Sequence, residues 1–297
     1  MTVQDKIQPP LISVVMVSYQ TGPALLQSIR AVQDDPDIHE LIIVDNGNPT
    51  ADREAFYTAA AKAGLVRIVQ GQGNIGFARG CNFGAALATG DYLFFLNPDA
   101  VVERGAARKL ANAGDAVQRP WIAGGMLLNS IGEEQRGARR GALNYVSAMI
   151  SFTPLHRLPG MRSIHRDDEP LPDGPVPMPT VSGANLMTDR ASFDQIKGFD
   201  EGYFLHVEDI AICRDVRQAG GAVIFVPDAR AMHHGSTSDV APIWVEWHKL
   251  KGLFRYFWTS QPGAGAKIAT ILGAPIMAAL LAARFVMLSL RKAPSDR

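Results

Sequence analysis

Four short apolar runs, separated by helical patterns, constrain this chain more than any other feature. Leu11 to Val17, Leu41 to Val44, Leu65 to Val69 and Tyr92 to Leu96 are rich in Val, Ile, Leu and Phe and end in turn chemistry. Runs of that length read as strands, with Leu11 to Val17 a central one. Between them the spacing predicts helices over about Pro23 to Gln33, Asp52 to Lys62 and Phe77 to Ala88. Pro23 suits a first helical turn, and Gly64 is the expected stop of the second helix. Repeated strand–helix alternation predicts an α/β fold with a mainly parallel, helix-covered sheet. With 297 residues, 47% of them hydrophobic, the chain can bury one large core with a smaller appendage.

Formal net charge is zero, so no global attraction to nucleic acid is expected. Cys81 and Cys213 are the only cysteines. They make neither a disulfide framework nor a cysteine metal cluster, which fits a reducing cytosolic setting. Met1 to Pro10 is polar and has no apolar stretch, so a secretory signal is not expected.

The candidate site gathers from several strand ends. Leu93 to Leu96 delivers Asn97 and Asp99 to the C-terminal end of its strand, the edge where ligands bind in open α/β sheets. A carboxylate there suits a hard divalent cation carrying a diphosphate; Asn-Pro-Asp also reads as a local turn. Asp45 ends the second strand, where it can accept from a ribose or base, or close an Asx turn through Asp45-Asn46-Gly47-Asn48. The loop Gly71 to Gly76 fits G-x-G-x-x-G but follows the third strand, which counts against a dinucleotide site and an oxidoreductase. A helix start beside it still attracts anions, with Arg79 as an added charge. Asp209 opens a helical face continued by Ile212, Cys213, Val216 and Ala219. That position suits a general base, while Glu208 and Asp209 also complement a helix dipole. His233-His234 follows a short strand over Ala222 to Val226, and either ring is a competent metal ligand or a plain core or surface histidine.

Taken in order, these residues resemble family 2 glycosyltransferases. Val17-Ser18-Tyr19, Val44-Asp45-Asn46, Asn74 to Asn82 and Leu96-Asn97-Pro98-Asp99 carry the likeness. Ser182-Gly183-Ala184, Gly198 to Glu201, Val207 to Ile210 and His233 to Ser238 extend it, closest to a rhamnosyltransferase-like branch. The resemblance implies a GT-A fold, a Rossmann-like sheet, a nucleotide-sugar donor and Mg2+ or Mn2+. It implies donor contacts from Ser18, Tyr19, Asp45, Asn74, Gly76, Arg79, Asn97 and Asp99. It also implies acceptor contacts from Ser182, Gly183 and Ala184, metal binding by Asp99, Asn97 and His233 or His234, and Asp209 as base with Glu208 beside it. Asn97 stands where the family normally has an Asp, so that ligand brings no charge. The implied reaction is inverting transfer from dTDP-rhamnose or a UDP-sugar to a hydroxyl of a glycan or polyprenyl-linked acceptor in cell-surface polysaccharide synthesis. The other reading is a catalytically silent, sugar-nucleotide-binding membrane scaffold.

The expected boundaries are a glycosyltransferase domain over 1–238 and a helical C-terminal segment over 239–297. Within the domain, a nucleotide-binding half runs over about 11–128 and an acceptor half over 129–238. Asn129 to Pro179 has mixed charge and crowded prolines, which predicts an irregular segment or lid. Trp244, Trp247, Phe254, Tyr256, Phe257 and Trp258 alternate with Lys249, Lys251 and Arg255, a pattern suited to a membrane interface. Ile268 to Leu290 is long enough to span a bilayer but is interrupted by Gly273, Pro275 and Arg284. Peripheral attachment to the inner face of the plasma membrane is favoured, against helices packed on the domain or forming a homodimer.

Overall fold

The computed structural model describes residues 10–49, 54, 58, 65–151, 154–235, 240–260 and 263–291. The first half builds β1 (Ile12–Ser18), α1 (Ala24–Gln33), β2 (Ile38–Asp45), β3 (Val66–Val69), α2 (Phe77–Leu87) and β4 (Tyr92–Leu96). Then follow β5 (Ala100–Val102), α3 (Ala106–Asp115) and β6 (Trp121–Leu128). The second half holds β7 (Arg139–Arg140), α4 (Tyr145–Ser151), a 3-10 turn (Pro154–Arg157), β8 (Val176–Pro177), β9 (Thr180–Val181) and β10 (Asn185–Asp189). It continues through α5 (Arg190–Gln195), α6 (Glu208–Gln218) and β11 (Ala222–His233), and the chain closes with α7 (Pro242–Ser260) and α8 (Ala264–Arg291). The helix expected over 52–62 lies outside the described residues, save Glu54 and Thr58, which are helical.

The sheet runs β3-β2-β1-β4-β10-β6-β11-β5. The pairs β3–β2, β2–β1 and β1–β4 are parallel, which is the geometry that strand–helix alternation demands. β10 then enters antiparallel between β4 and β6. All seven residues of β1 are buried, so each face of the sheet must be covered. Val15, Val17, Ile42, Val44, Leu93 and Phe95 meet Ala78, Cys81 and Ala85 of α2 on one face. Val14, Met16, Leu41, Ile43 and Phe94 meet Leu25 and Ile29 of α1 and Leu110 of α3 on the other. Successive strand residues thus feed two cores, as a period of two requires.

Two expectations need correction. The 129–179 segment is irregular over most of its length, as expected, but it does add sheet: β8 pairs antiparallel with β11, and β7 with β9. Ala138, Leu143, Ala148, Ile164 and Met178 are buried, so the segment is anchored by its own apolar residues. The strand expected to end at Val226 continues to His233, through a register shift between Val226 and Arg230. Pro227 is accommodated because it falls at that irregularity, where a ladder donor is not needed.

Among the described residues no helix is long and apolar enough to cross a membrane. The side chain of Arg284 lies outside what is described. α7 packs back on the domain through buried Gly252, Leu253, Tyr256 and Phe257, and Arg255 forks onto both carboxylate oxygens of Asp200 at 2.9 and 2.6 Å.

The close approach of α2 to β1 gives a test of the packing. A Cβ on Gly84 would stand 2.4 Å from Val15 Cγ1, well inside contact distance. Gly84→Ala gains roughly 1 kcal/mol of helix propensity but should lose about 1–3 kcal/mol to overpacking. The net expectation is a lower midpoint in thermal denaturation.

Candidate active site

The loops after β1, β2 and β3 form one lattice at the C-terminal edge of the parallel strands. Asp45 Oδ1 accepts from Gly47 N–H, Asn48 N–H and Asn48 Nδ2, each at 2.9 Å. This is the Asx turn that Asp-Asn-Gly-Asn allows, and it orients Asn48 toward the first loop. Asn48 Nδ2 donates to Ser18 Oγ at 2.9 Å, and Asn48 Oδ1 accepts from Thr21 N–H at 3.1 Å. Tyr19 lays its ring beside Gly47, where an added Cβ would come within 3.4 Å of it. The third loop joins when Gln72 Nε2 donates to Asp45 O and Asn46 Nδ2 donates to Gly76 O, at 2.9 and 3.1 Å. Asn74 Oδ1 accepts from Gly76 N–H at 3.1 Å.

The start of α2 departs from the expected anion cradle. Phe77 N–H donates to Phe204 O at 2.7 Å, so a carbonyl from the second half of the chain fills that position. Gly76 is required there: its φ is +85° and a Cβ would sit 2.7 Å from Phe204 O. Arg79 faces Glu201 at 3.1 Å, with both side chains about half exposed. A pair so exposed contributes little to stability.

Asn97, Asp99 and His233 come together where β4 meets the end of β11. β11 pairs with β5 so that His233 lies opposite Ala100. His233 Nε2 lies 3.2 Å from Asp99 Oδ1 and 3.1 Å from Asn97 Nδ2. Its other nitrogen, Nδ1, is 2.6 Å from Gln135 Oε1, an atom that can only accept. Nδ1 therefore carries hydrogen, and a neutral ring turns its bare Nε2 lone pair toward a carboxylate oxygen. Nε2 then accepts from Asn97 Nδ2 and stands beside the Asp99 carboxylate. Among the described residues no three His, Cys, Asp or Glu side chains cluster for a metal. The group here is one carboxylate, one imidazole and one amide, a mixed O/N set that fits Mn2+ well and Mg2+ less well. His234 turns away to Gln27, 3.1 Å from its Oε1. The run 236–239 lies outside the described residues.

Asp209 stands one residue inside α6. The approach to it is strained: His206 and Val207 have φ of +68° and +72°, a conformation that a β-branched residue rarely adopts. Packing holds them there, because Gly252 of α7 comes so close that an added Cβ would lie 3.0 Å from His206 O. Such strain concentrates at functional sites. Asp209 Oδ2 accepts from Arg140 Nη2 and from Gly183 N–H, while Oδ1 accepts from Ile210 N–H at 2.8 Å. The Ser182-Gly183-Ala184 segment links Asp209 to the edge that carries Asn97, since Ala184 O accepts from Asn97 N–H at 3.0 Å.

The two adjacent carboxyls are driven apart. Burial works to raise the pKa of Asp209, but the charge and hydrogen bond of Arg140 and the N–H groups of Gly183 and Ile210 outweigh it. They hold Asp209 below the ordinary carboxylate value. Burial, and then the charge of Asp209, push Glu208 up to about 8. Glu208 Oε2 is buried with no hydrogen-bond partner among the described residues. At neutral pH Asp209 is thus the anion and Glu208 the protonated acid. Arg140 and Gln135 gave no signal in the sequence. Both sit in the mixed-charge 129–179 stretch, where one arginine or glutamine resembles the next.

The Glu208 shift has a stability consequence. Its folded value lies above the 4.5 of an ordinary glutamate, so between about pH 5 and 8 the unfolded chain releases this proton first. Stability then falls as pH rises. Glu208→Gln should flatten that fall, read as thermal midpoint against pH. A wild-type midpoint that does not decline relative to the variant over this window would count against a buried, protonated Glu208.

Comparisons with known proteins bear on this geometry. The model of the family described as Glycosyl transferase family 2 matches residues 13–168, more than half of the chain. An N-acetylglucosaminyl-diphospho-decaprenol L-rhamnosyltransferase of Mycobacterium tuberculosis is 26% identical over 267 residues, covering 82% of this chain and 83% of that protein. Rhamnosyltransferase WbbL of Escherichia coli is 34% identical over 77 residues, 25% of this chain and 29% of WbbL. Among solved structures, GalNAc-T7 with UDP, GalNAc and Mn2+ superposes with a TM-score of 0.60 at 16% identity, over 88% of this chain and 53% of that one. Mannosyltransferase PcManGT from Pyrobaculum calidifontis, with GDP-Man and Mn2+, gives 0.57 at 14% identity, over 97% and 77%. At such identities these structures establish a shared fold.

Proposed function

The chain belongs to glycosyl transferase family 2, and from that premise we propose that it moves a deoxyhexosyl group, with inversion, from a nucleoside diphosphate to a hydroxyl of a polyprenyl-linked glycan. The product would enter cell-surface polysaccharide synthesis. The observation that carries this reading is the joining of an ionised, partly buried Asp209 to the Asn97–Asp99–His233 group by the backbone of 182–184. Mycobacterial and Escherichia coli relatives named for rhamnosyl transfer support dTDP-rhamnose over a UDP-sugar. Acceptance of a lipid-linked diphosphate sugar is supported by the name of the mycobacterial relative.

In this reading Ser18, Tyr19, Asp45, Asn74 and Gly76 shape the nucleoside end of the donor pocket, and the lattice around Asp45 keeps it rigid. Asp99, Asn97 and His233 would hold Mg2+ or Mn2+, with Gln135 fixing the imidazole. When bound, that ion would neutralise the diphosphate and ease its departure. Asp209 takes the proton of the acceptor hydroxyl, which approaches over Ser182, Gly183 and Ala184 and attacks the anomeric carbon from the face opposite the diphosphate. Glu208, protonated and turned inward, does not compete for that proton.

Asp209→Asn should lower kcat about 10²–10⁴-fold while nucleotide binding persists; near-normal turnover in the folded variant would remove the base. The donor site is checked by thermal stabilisation. A Mn2+-dependent rise in midpoint with dTDP or UDP follows from binding to the native state, and Asp99→Asn or His233→Ala should abolish the Mn2+ dependence. A shift with NAD alone would instead indicate an oxidoreductase, and no shift with any nucleotide the silent scaffold.

The C-terminal helices support attachment to the cytoplasmic face of a membrane. Ile243, Trp247, Phe254 and Trp258 lie on one stripe of α7 and are 38–57% exposed, opposite its buried face. Lys251 and Lys267 lie over the rings of Trp247 and Trp258, each at 5.1 Å. Aromatic rings with lysines beside them suit an anionic lipid interface. The full chain should co-sediment with anionic vesicles in a salt-sensitive manner, and Trp247→Ser with Trp258→Ser should weaken it. Equal sedimentation of the variant would exclude this face.

A further inference from the structure

Nucleotide binding gives no reason for the ion pair on the catalytic carboxylate. We propose, resting on Asp209 as the base, that Arg140 is a positioning residue of the transfer reaction, fixing the Asp209 carboxylate and offsetting its charge in a closed site. Arg140 ends β7 opposite Thr180 of β9, and its side chain is 11% exposed. Nη2 donates to Asp209 Oδ2 and to Val181 O, so the group is tied both to the carboxylate and to the strand before Ser182. Its Nε is buried with no partner among the described residues, a cost that the ion pair must offset.

The pair also differentiates the two oxygens. Oδ2 takes both Arg140 and Gly183 N–H, while Oδ1 takes Ile210 N–H alone. Oδ1 therefore keeps a lone pair for the incoming hydroxyl. Fold stability gives little reason for such a pair, because apolar residues of similar volume often serve as well or better. The other ionisable groups facing Asp209 are Glu208 beside it, Cys213 one turn on, and His206 before the helix. Lys249 and Glu246 of α7 act on His206, and Cys81 of α2 faces Glu208. The other cations bear on its neighbours, Lys249 on His206 and Arg217 on Cys213, which leaves Arg140 as the compensating charge in contact with Asp209.

The test compares wild type with R140K and R140M, using dTDP-rhamnose and a polyprenyl-diphospho-GlcNAc acceptor. R140M should lose about 10²-fold in kcat, the size of a roughly 1 Å misplacement, with the KM for donor unchanged. Without the guanidinium the carboxylate pKa rises, so the acid limb of the kcat profile should move to higher pH; R140K should restore most of both. Asp209 is also followed directly by ¹³C NMR of the side-chain carboxyls, assigned with D209N. Its titration should move upward in R140M. If wild type transfers no sugar, the proposed function fails, while the NMR titration still decides the role of Arg140. An unchanged titration, or wild-type kcat and acid limb in R140M, would overturn the proposal. If R140M does not fold, R140Q keeps a donor without charge and should show the same shifts.

Discussion

β10 lies antiparallel between β4 and β6 and hydrogen-bonds to both, and this pairing brings the two halves of the chain together at their reactive edge. Without it, the strand carrying Asn97 and the segment carrying Gly183 would have no fixed relation. With it, Asn185 lies opposite Leu96, so the residues just before β10 run past the end of β4. Ala184 then accepts from Asn97, and Gly183 donates to Asp209. Strand register thus sets the separation between Asn97 and Asp209, since backbone hydrogen bonds tolerate little displacement.

Electrostatics then assigns roles that residue types alone leave open. Glu208 is buried and its neighbour Asp209 nearly so, yet only Asp209 meets a guanidinium and backbone N–H groups. Two buried negative charges side by side would repel in a low dielectric, so the unsupported carboxyl keeps its proton. His233 is fixed by its contacts, with Nδ1 on Gln135 and Nε2 between Asn97 and Asp99.

The C-terminal helices do more than cover the domain. Arg214 of α6 donates to Thr259 and Ser260 at the end of α7, and Phe204 packs against Trp244 and His248. Gly252 supports the strained His206–Val207 approach. The helix that opens with Asp209 is therefore held in part by a segment remote from it in sequence. Phe204 also closes the start of α2, tying the loop before it to the same support.

Much of this was legible in the residues. The strands over 12–45 and 92–96 declared themselves because fully buried strands need long apolar runs. β11 was read too short because Pro227-Asp228 carries turn chemistry, whereas its neighbours β6 and β5 continue the ladder past it. The choice between His233 and His234 was not available locally, since adjacent strand residues point to opposite faces and only the pairing with β5 fixes which face is which. Arg140 was invisible for the same kind of reason, being 69 residues from its carboxylate. Sequence by itself determined the alternation of strands and helices and the turn chemistry of the loops that follow the parallel strands, which depend on local burial and turns. Only the tertiary structure decided the register that unites Asp209 with Asn97, Asp99 and His233, and the partner that keeps Asp209 charged, because both depend on contacts between distant segments.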